Sequence, residues 1–278
     1  MSGEIGNIEP SFFTLPESEG PIVLRSGQSL PGYTLVYETY GELNEARDNA
    51  VVVFHALTGS QHAAGYCADV PGLSVNWTPD CQEGWWDSFI GPGKAIDTTK
   101  YFVICANYLG GCYGSTGPSS INPVSGKPYG ASFPHISVAD IVDSQVRLFE
   151  HLGIDCLHAA VGGSLGGMLC ISLATRYPER VRTVIPMASG LATSPLQRLH
   201  NFEQIYAIEA DANFKGGDYY DGPLPKRGLA LARMISHKTF ISLKTMEDRA
   251  TREIKQSDDD IFSWYEISRP LESYMLHK

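Results

Sequence analysis

The chain has 278 residues, 43% hydrophobic and 19% charged, the balance of a globular protein with a sizeable core. A net charge of −10 excludes the basic surface of a phosphate-tracking protein, so nucleic acid is not an expected partner. No run approaches the roughly 18 uninterrupted apolar residues of a membrane span, and residues 1–10 are polar and acidic rather than a basic leader with an apolar core.

In chain order, residues 22–25 and 34–40 flank the turn signal Leu30-Pro31-Gly32 and predict an antiparallel start to a sheet. The apolar runs 50–57, 101–107, 157–163 and 183–188 are short and β-branched, as suits strands buried on both faces of a parallel sheet. Residues 109–130 form a Gly/Ser/Pro-rich stretch long enough to be functional or mobile. It lacks the Gly-Lys-Ser/Thr ending of a phosphate loop. Ser137 is the expected N-cap of a helix whose Val138, Ile141, Val142, Phe149 and Leu152 share one face, with Gly153 as its stop. A second helix is predicted over 165–177, ending before Pro178. Strand and helix alternate as in a doubly wound fold.

After Gly190 the strand signals stop. Helices are expected over 196–209, 228–242 and 248–265, and a further helix starts with Pro270 in its first turn. The predicted division is a core over 1–190 with helices on both faces of a mostly parallel sheet, and a helical cap over 191–278 on the sheet's carboxyl edge. The six cysteines include no CxxC pair, which predicts a reduced, cytoplasmic protein with neither a disulfide framework nor a metal site.

Gly162-Gly163-Ser164-Leu165-Gly166 matches G-x-S-x-G between an apolar run and a helix, the context of a nucleophile elbow. Ser164 is therefore the candidate nucleophile. Small residues must flank so sharp a turn, and Gly162 and Gly166 supply the room. The Leu165 N–H then points at a developing oxyanion, and a second donor is expected from Leu57 or Thr58 in the loop after the third strand. The plainer alternatives are a tight strand-to-helix turn and an ordinary strand-ending turn.

Several long strings resemble the homoserine O-acetyltransferases, an α/β-hydrolase family. They are His55-Ala56-Leu57-Thr58-Gly59, Asn107–Cys112, Gly114–Ser120, Gly162–Gly167, Gly216–Tyr220 and Gly228-Leu229-Ala230-Leu231-Ala232-Arg233. The resemblance implies transfer of an acetyl group from acetyl-CoA to the hydroxyl of L-homoserine through an acyl-serine on Ser164, in methionine biosynthesis. It implies no cofactor besides acetyl-CoA as co-substrate, and a homodimer packed through the cap helices. Arg233 matches the arginine that binds the amino acid, a role suited to a guanidinium that grips a carboxylate with two prongs. Seven residues on, Phe240 stands where relatives carry tyrosine.

The fold orders its triad Ser, then Asp or Glu, then His. No strands delivering the last two are read after Ser164, so the expectation is a chain truncated before its triad acid and histidine. His200, His237 and His277 all fall in the predicted cap, and His237, four residues after Arg233, is a weak candidate base. The rival readings are a succinyl donor, serine or water as acceptor, and an inactive fragment.

Overall fold

The computed structural model describes residues 4–19, 21–73, 77–250 and 267–276. It divides into two compact units, Met1–Leu191 and Ala192–Lys278.

The first unit is built on a six-stranded sheet. Its strands are β1 (Ser11–Leu15), β4 (Tyr33–Tyr40), β5 (Ala50–Phe54), β6 (Phe102–Ala106), β7 (Ala159–Gly163) and β8 (Val184–Met187), while β2 (Ile22–Val23) and β3 (Ser29–Leu30) form a separate two-stranded ribbon. The sheet order is β1-β4-β6-β5-β7-β8. β5, β6, β7 and β8 run parallel, and β4 is antiparallel to both β1 and β6.

The predicted antiparallel start exists, but its pairing differs. β4 pairs with β1, a strand that hydropathy hides because Phe12 on its outer face is 45% exposed while Phe13 and Leu15 are buried. Residues 22–25 contribute only the ribbon.

β5 reads AVVVF and is buried throughout. Successive side chains of a strand point to opposite faces. Val52 and Phe54 accordingly join one core with Ile104 and Ala160, and with Val142 and Phe149 of α1 (Val138–His151) and Leu169 and Leu173 of α2 (Leu165–Arg176). Val53 packs on the other side with Val103, Cys105, Ala63, Ala64 and Ile90. The described cover on that side is therefore irregular chain, which follows from the lack of helical periodicity between the ends of β5 and β6.

α1 starts as predicted. Ser137 and Asp140 form a reciprocal capping box, and Gly153 takes a φ of 71° just past the end. The Gly/Ser/Pro-rich stretch is tied down by Ser115 and Thr116. Val36 N–H donates to Ser115 Oγ at 3.0 Å, Thr34 N–H to Thr116 Oγ1 at 2.9 Å, and Thr116 N–H to Thr34 O at 2.8 Å. These groups complete the hydrogen bonding of β4 beyond the reach of β6.

The second unit is helical, with α3 (Pro195–Glu209), α4 (Lys226–Phe240), α5 (Leu243–Arg249) and α6 (Pro270–Leu276). α3 and α4 approach closely at Gly228, where a Cβ would stand 2.5 Å from the Ala207 carbonyl oxygen. The helix expected over 248–265 is replaced at its start by α5, which begins at Leu243 behind a Ser242 cap; residues 251–266 lie outside the described residues. No helix among the described residues is long and apolar enough to cross a membrane.

Candidate active site

β7 delivers Ser164 to the carboxyl edge of the sheet, and α2 begins at the next residue. Ser164 has φ 54° and ψ −117°, outside the regions open to a residue with a Cβ. Its N–H donates to Met187 O at 2.9 Å, so β8 helps hold the turn. The neighbouring glycines are obligatory by contact. A Cβ on Gly162 would lie 2.5 Å from the carbonyl group of Gly166, and one on Gly166 would collide with the carbonyl oxygens of Phe54 and His55. The side chain of Ser164 is exposed, and its hydroxyl meets no hydrogen-bond partner among the described residues.

The parallel register pairs Phe54 with Gly162, so the loop leaving β5 and the turn leaving β7 emerge side by side. Leu165 is the first residue of α2, where an N–H has no acceptor within the helix. In the other loop Gly59 N–H donates to Ala56 O at 2.9 Å, closing a turn whose two central residues are Leu57 and Thr58. Two adjacent strand ends thus bring Ser164, Leu165 and Leu57 to one edge. A helix N-terminus favours negative charge there.

Sequence reasoning missed the groups that hold this loop. His55 is 2% exposed, and its ring stacks on Tyr108 with centroids 3.7 Å apart and planes 15° apart. Its Nδ1 lies 2.7 Å from Ala56 O, and Tyr108 OH donates to His55 O at 2.5 Å. Burial holds the imidazole pKa down at about 4. The one available signal is a histidine at the end of the apolar run AVVVFHAL, where a strand has no use for it.

A second polar knot lies behind the loop. Glu38 accepts hydrogen bonds from Tyr40 OH at 2.7 Å and from His62 Nδ1 at 2.8 Å, and His62 Nε2 donates to Gln82 O at 2.9 Å. Burial alone would lower the His62 pKa, but its bond to the Glu38 charge outweighs this and raises it. Atoms of Glu38, His62 and Cys67 come within 4.8 Å of one another, a spacing that suits a metal. However, both nitrogens of His62 are engaged, and burial pushes the Cys67 thiol up to about 11, so the cluster as folded holds protons rather than a cation.

Arg233 lies exposed on α4 and lines a hollow of about 240 Å³ with Lys226, Leu229, Ala230, Met234, Met275 and Leu276. His237, on the same helix, lies 3.2 Å from the Tyr274 hydroxyl through Nε2. His277 lies outside the described residues.

Residues 49–255 match the family model of the alpha/beta hydrolase fold. The chain is 46% identical over 274 residues to the homoserine O-acetyltransferase of Solidesulfovibrio magneticus, covering 99% of itself and 67% of that protein. It is 48% identical over 259 residues to the homoserine O-succinyltransferase of Aromatoleum aromaticum, covering 93% of itself and 66% of that protein. The crystal structure of homoserine O-acetyltransferase from Bacillus anthracis superposes with a TM-score of 0.81 at 30% identity, over 97% of this chain and 70% of that one. The chain spans about two thirds of the length of these curated relatives. On this sheet, this strained serine turn and these identities, the chain belongs to the homoserine O-acyltransferase family of the α/β-hydrolase fold.

Proposed function

We propose that this chain carries the acyl-transfer site of an enzyme that moves an acetyl group from acetyl-CoA to the hydroxyl of L-homoserine, in the cytoplasm and as a homodimer, on the route to methionine. The observation that carries the reading is the backbone of Ser164. A residue with a Cβ is held at φ 54° by glycines that cannot be replaced, and such strain is characteristic of a nucleophile turn. In the first half-reaction Ser164 Oγ attacks the thioester carbonyl. The N–H groups of Leu57 and Leu165 face the oxyanion, the C–S bond breaks, and the thiolate leaves as CoA-SH with the serine proton. In the second, the homoserine hydroxyl attacks the acyl-serine, the serine ester bond breaks, and a proton returns to Ser164. That proton is the one the homoserine hydroxyl gives up, the serine's own having left on CoA-SH, and a base must relay a proton within each step. No imidazole among the described residues is hydrogen-bonded to Ser164, and His237 is bonded within its own unit.

Arg233 is assigned the homoserine carboxylate. The support is its place in the Gly228–Arg233 string and the two-pronged geometry of a guanidinium. The second reading changes only the donor, to succinyl-CoA, and the A. aromaticum relative favours it. Release of free thiol from each donor, with L-homoserine, L-serine or water as acceptor, separates these readings. Release that requires both Ser164 and homoserine, and that is lost in Ser164→Ala, supports the proposal. A folded chain that releases none from either donor overturns catalysis by these residues. The Arg233→Ala change is expected to raise the half-saturating homoserine concentration at least about tenfold, the loss of a charge-assisted pair.

A further inference from the structure

Leu57 N–H belongs to the peptide that joins Ala56 to Leu57. In a trans peptide the carbonyl and the N–H point in opposite directions, so whatever fixes the carbonyl fixes the N–H as well. Here the Ala56 carbonyl is held twice. Gly59 N–H donates to it at 2.9 Å across the turn, and His55 Nδ1 stands 2.7 Å from the same oxygen. The Ala56 oxygen can only accept, so Nδ1 carries the proton and Nε2 is the bare nitrogen. Nε2 is buried and has no hydrogen-bond partner among the described residues, so none of them opposes this tautomer from that side of the ring.

The ring itself has no freedom to leave. Tyr108 covers one face at 3.7 Å, and Gly59 sits so close that a Cβ there would be 2.8 Å from His55 Cβ. Tyr108 also grips the His55 carbonyl, and a Cβ on Gly166 would collide with that same carbonyl. The His55 backbone is therefore wedged between the start of α2 and Tyr108, while its side chain bonds forward to the next peptide.

We propose that His55 is a positioning residue for acyl transfer: its Nδ1–H holds the Ala56 carbonyl inside the turn, which keeps the Leu57 N–H turned outward as an oxyanion donor. This rests on the acyl-serine reading above. It assigns His55 no proton transfer. Burial keeps the ring neutral down to about pH 4, so its contribution to the rate is constant across the neutral range.

The test compares His55→Phe, which keeps a flat ring against Tyr108 and removes the donor, with His55→Asn, whose side-chain amide can place an N–H where Nδ1 stands. Acylation of Ser164 by acetyl-CoA in the 278-residue chain is followed by intact mass. His55→Phe is expected to acylate about 10- to 100-fold more slowly at an unchanged half-saturating acetyl-CoA concentration, because a donor misplaced by about an ångström loses most of its effect. His55→Asn is expected to recover to within a few-fold. A merely structural histidine predicts a different pattern, with the two variants ranked by melting temperature rather than by rate. A His55→Phe chain that acylates at the wild-type rate overturns the proposal. If the wild type itself is not acylated, the functional reading fails on its own. The Leu57 and Gly59 amide resonances then decide the positioning claim: shifted in His55→Phe and restored in His55→Asn supports it, and unchanged in both overturns it.

Discussion

Ser164 occupies a backbone conformation that glycine adopts freely and serine does not, a strain of about 1–3 kcal/mol. Replacement by glycine relieves that strain and gives back part of the gain as unfolded-state entropy. Ser164→Gly is therefore expected to be more stable than the wild type by about 1 kcal/mol in urea unfolding, while Ser164→Ala, which keeps its Cβ, is not. Equal stability of the three chains sinks the claim that the turn is strained. The serine was legible in the sequence because G-x-S-x-G fixes both the residue and the reason for its neighbours. His55 was not. Its partner is the carbonyl of the very next residue, and a hydrogen bond that local leaves no trace in the spacing of residue types.

At the scale of elements, sequence patterns located α1, α2, α3 and α4 to within a few residues, because caps and helical periodicity are local properties. β1 escaped because its identity as a strand depends on β4, which follows it across an intervening ribbon. The cap of α1 was legible, but its long-range use was not. Asp140, besides closing the capping box with Ser137, accepts the Arg25 N–H at 2.8 Å. Burial would raise the Asp140 carboxyl, and the bonds from Ser137 and Arg25 outweigh it and hold the pKa down. Ser137→Ala is expected to cost about 1 kcal/mol, a lost N-cap. Asp140→Ala should cost more, about 2 kcal/mol, because a distant backbone donor loses its acceptor too. Denaturant midpoints in the reverse order would rule out the Arg25 contact as a contributor.

At the scale of the whole molecule, two buried histidines bracket the pH of greatest stability. His55 is depressed from 6.5 to about 4 by burial, so the unfolded chain takes up a proton first and stability falls as the pH drops from about 6.5 to about 4, by on the order of 3 kcal/mol. His62 is raised by its Glu38 partner, so its stabilisation is full below 6.5 and is lost as the pH rises through its folded value. Chemical denaturation across pH 4.5, 6.5 and 8.5 is expected to peak at the middle value. His55→Phe should flatten the acid limb and His62→Asn the alkaline one; a wild-type profile without an acid limb contradicts the His55 assignment, and one without an alkaline limb contradicts that of His62.

The order of the sheet also sets a timetable for biosynthesis. β5 lies between β6 and β7, yet its Val51 pairs with Ala159, more than 100 residues further along the chain. At ribosomal speeds of about 5–20 residues per second, roughly 5–20 s pass between the emergence of these two strands. For that interval the nascent chain presents the edge of AVVVF, among its most apolar segments, without the strand that will cover it. The central pairing that later puts Leu57 beside Ser164 thus becomes available only long after β5 and β6 can pair, with the β7–β8 pairing alone still to follow in this sheet.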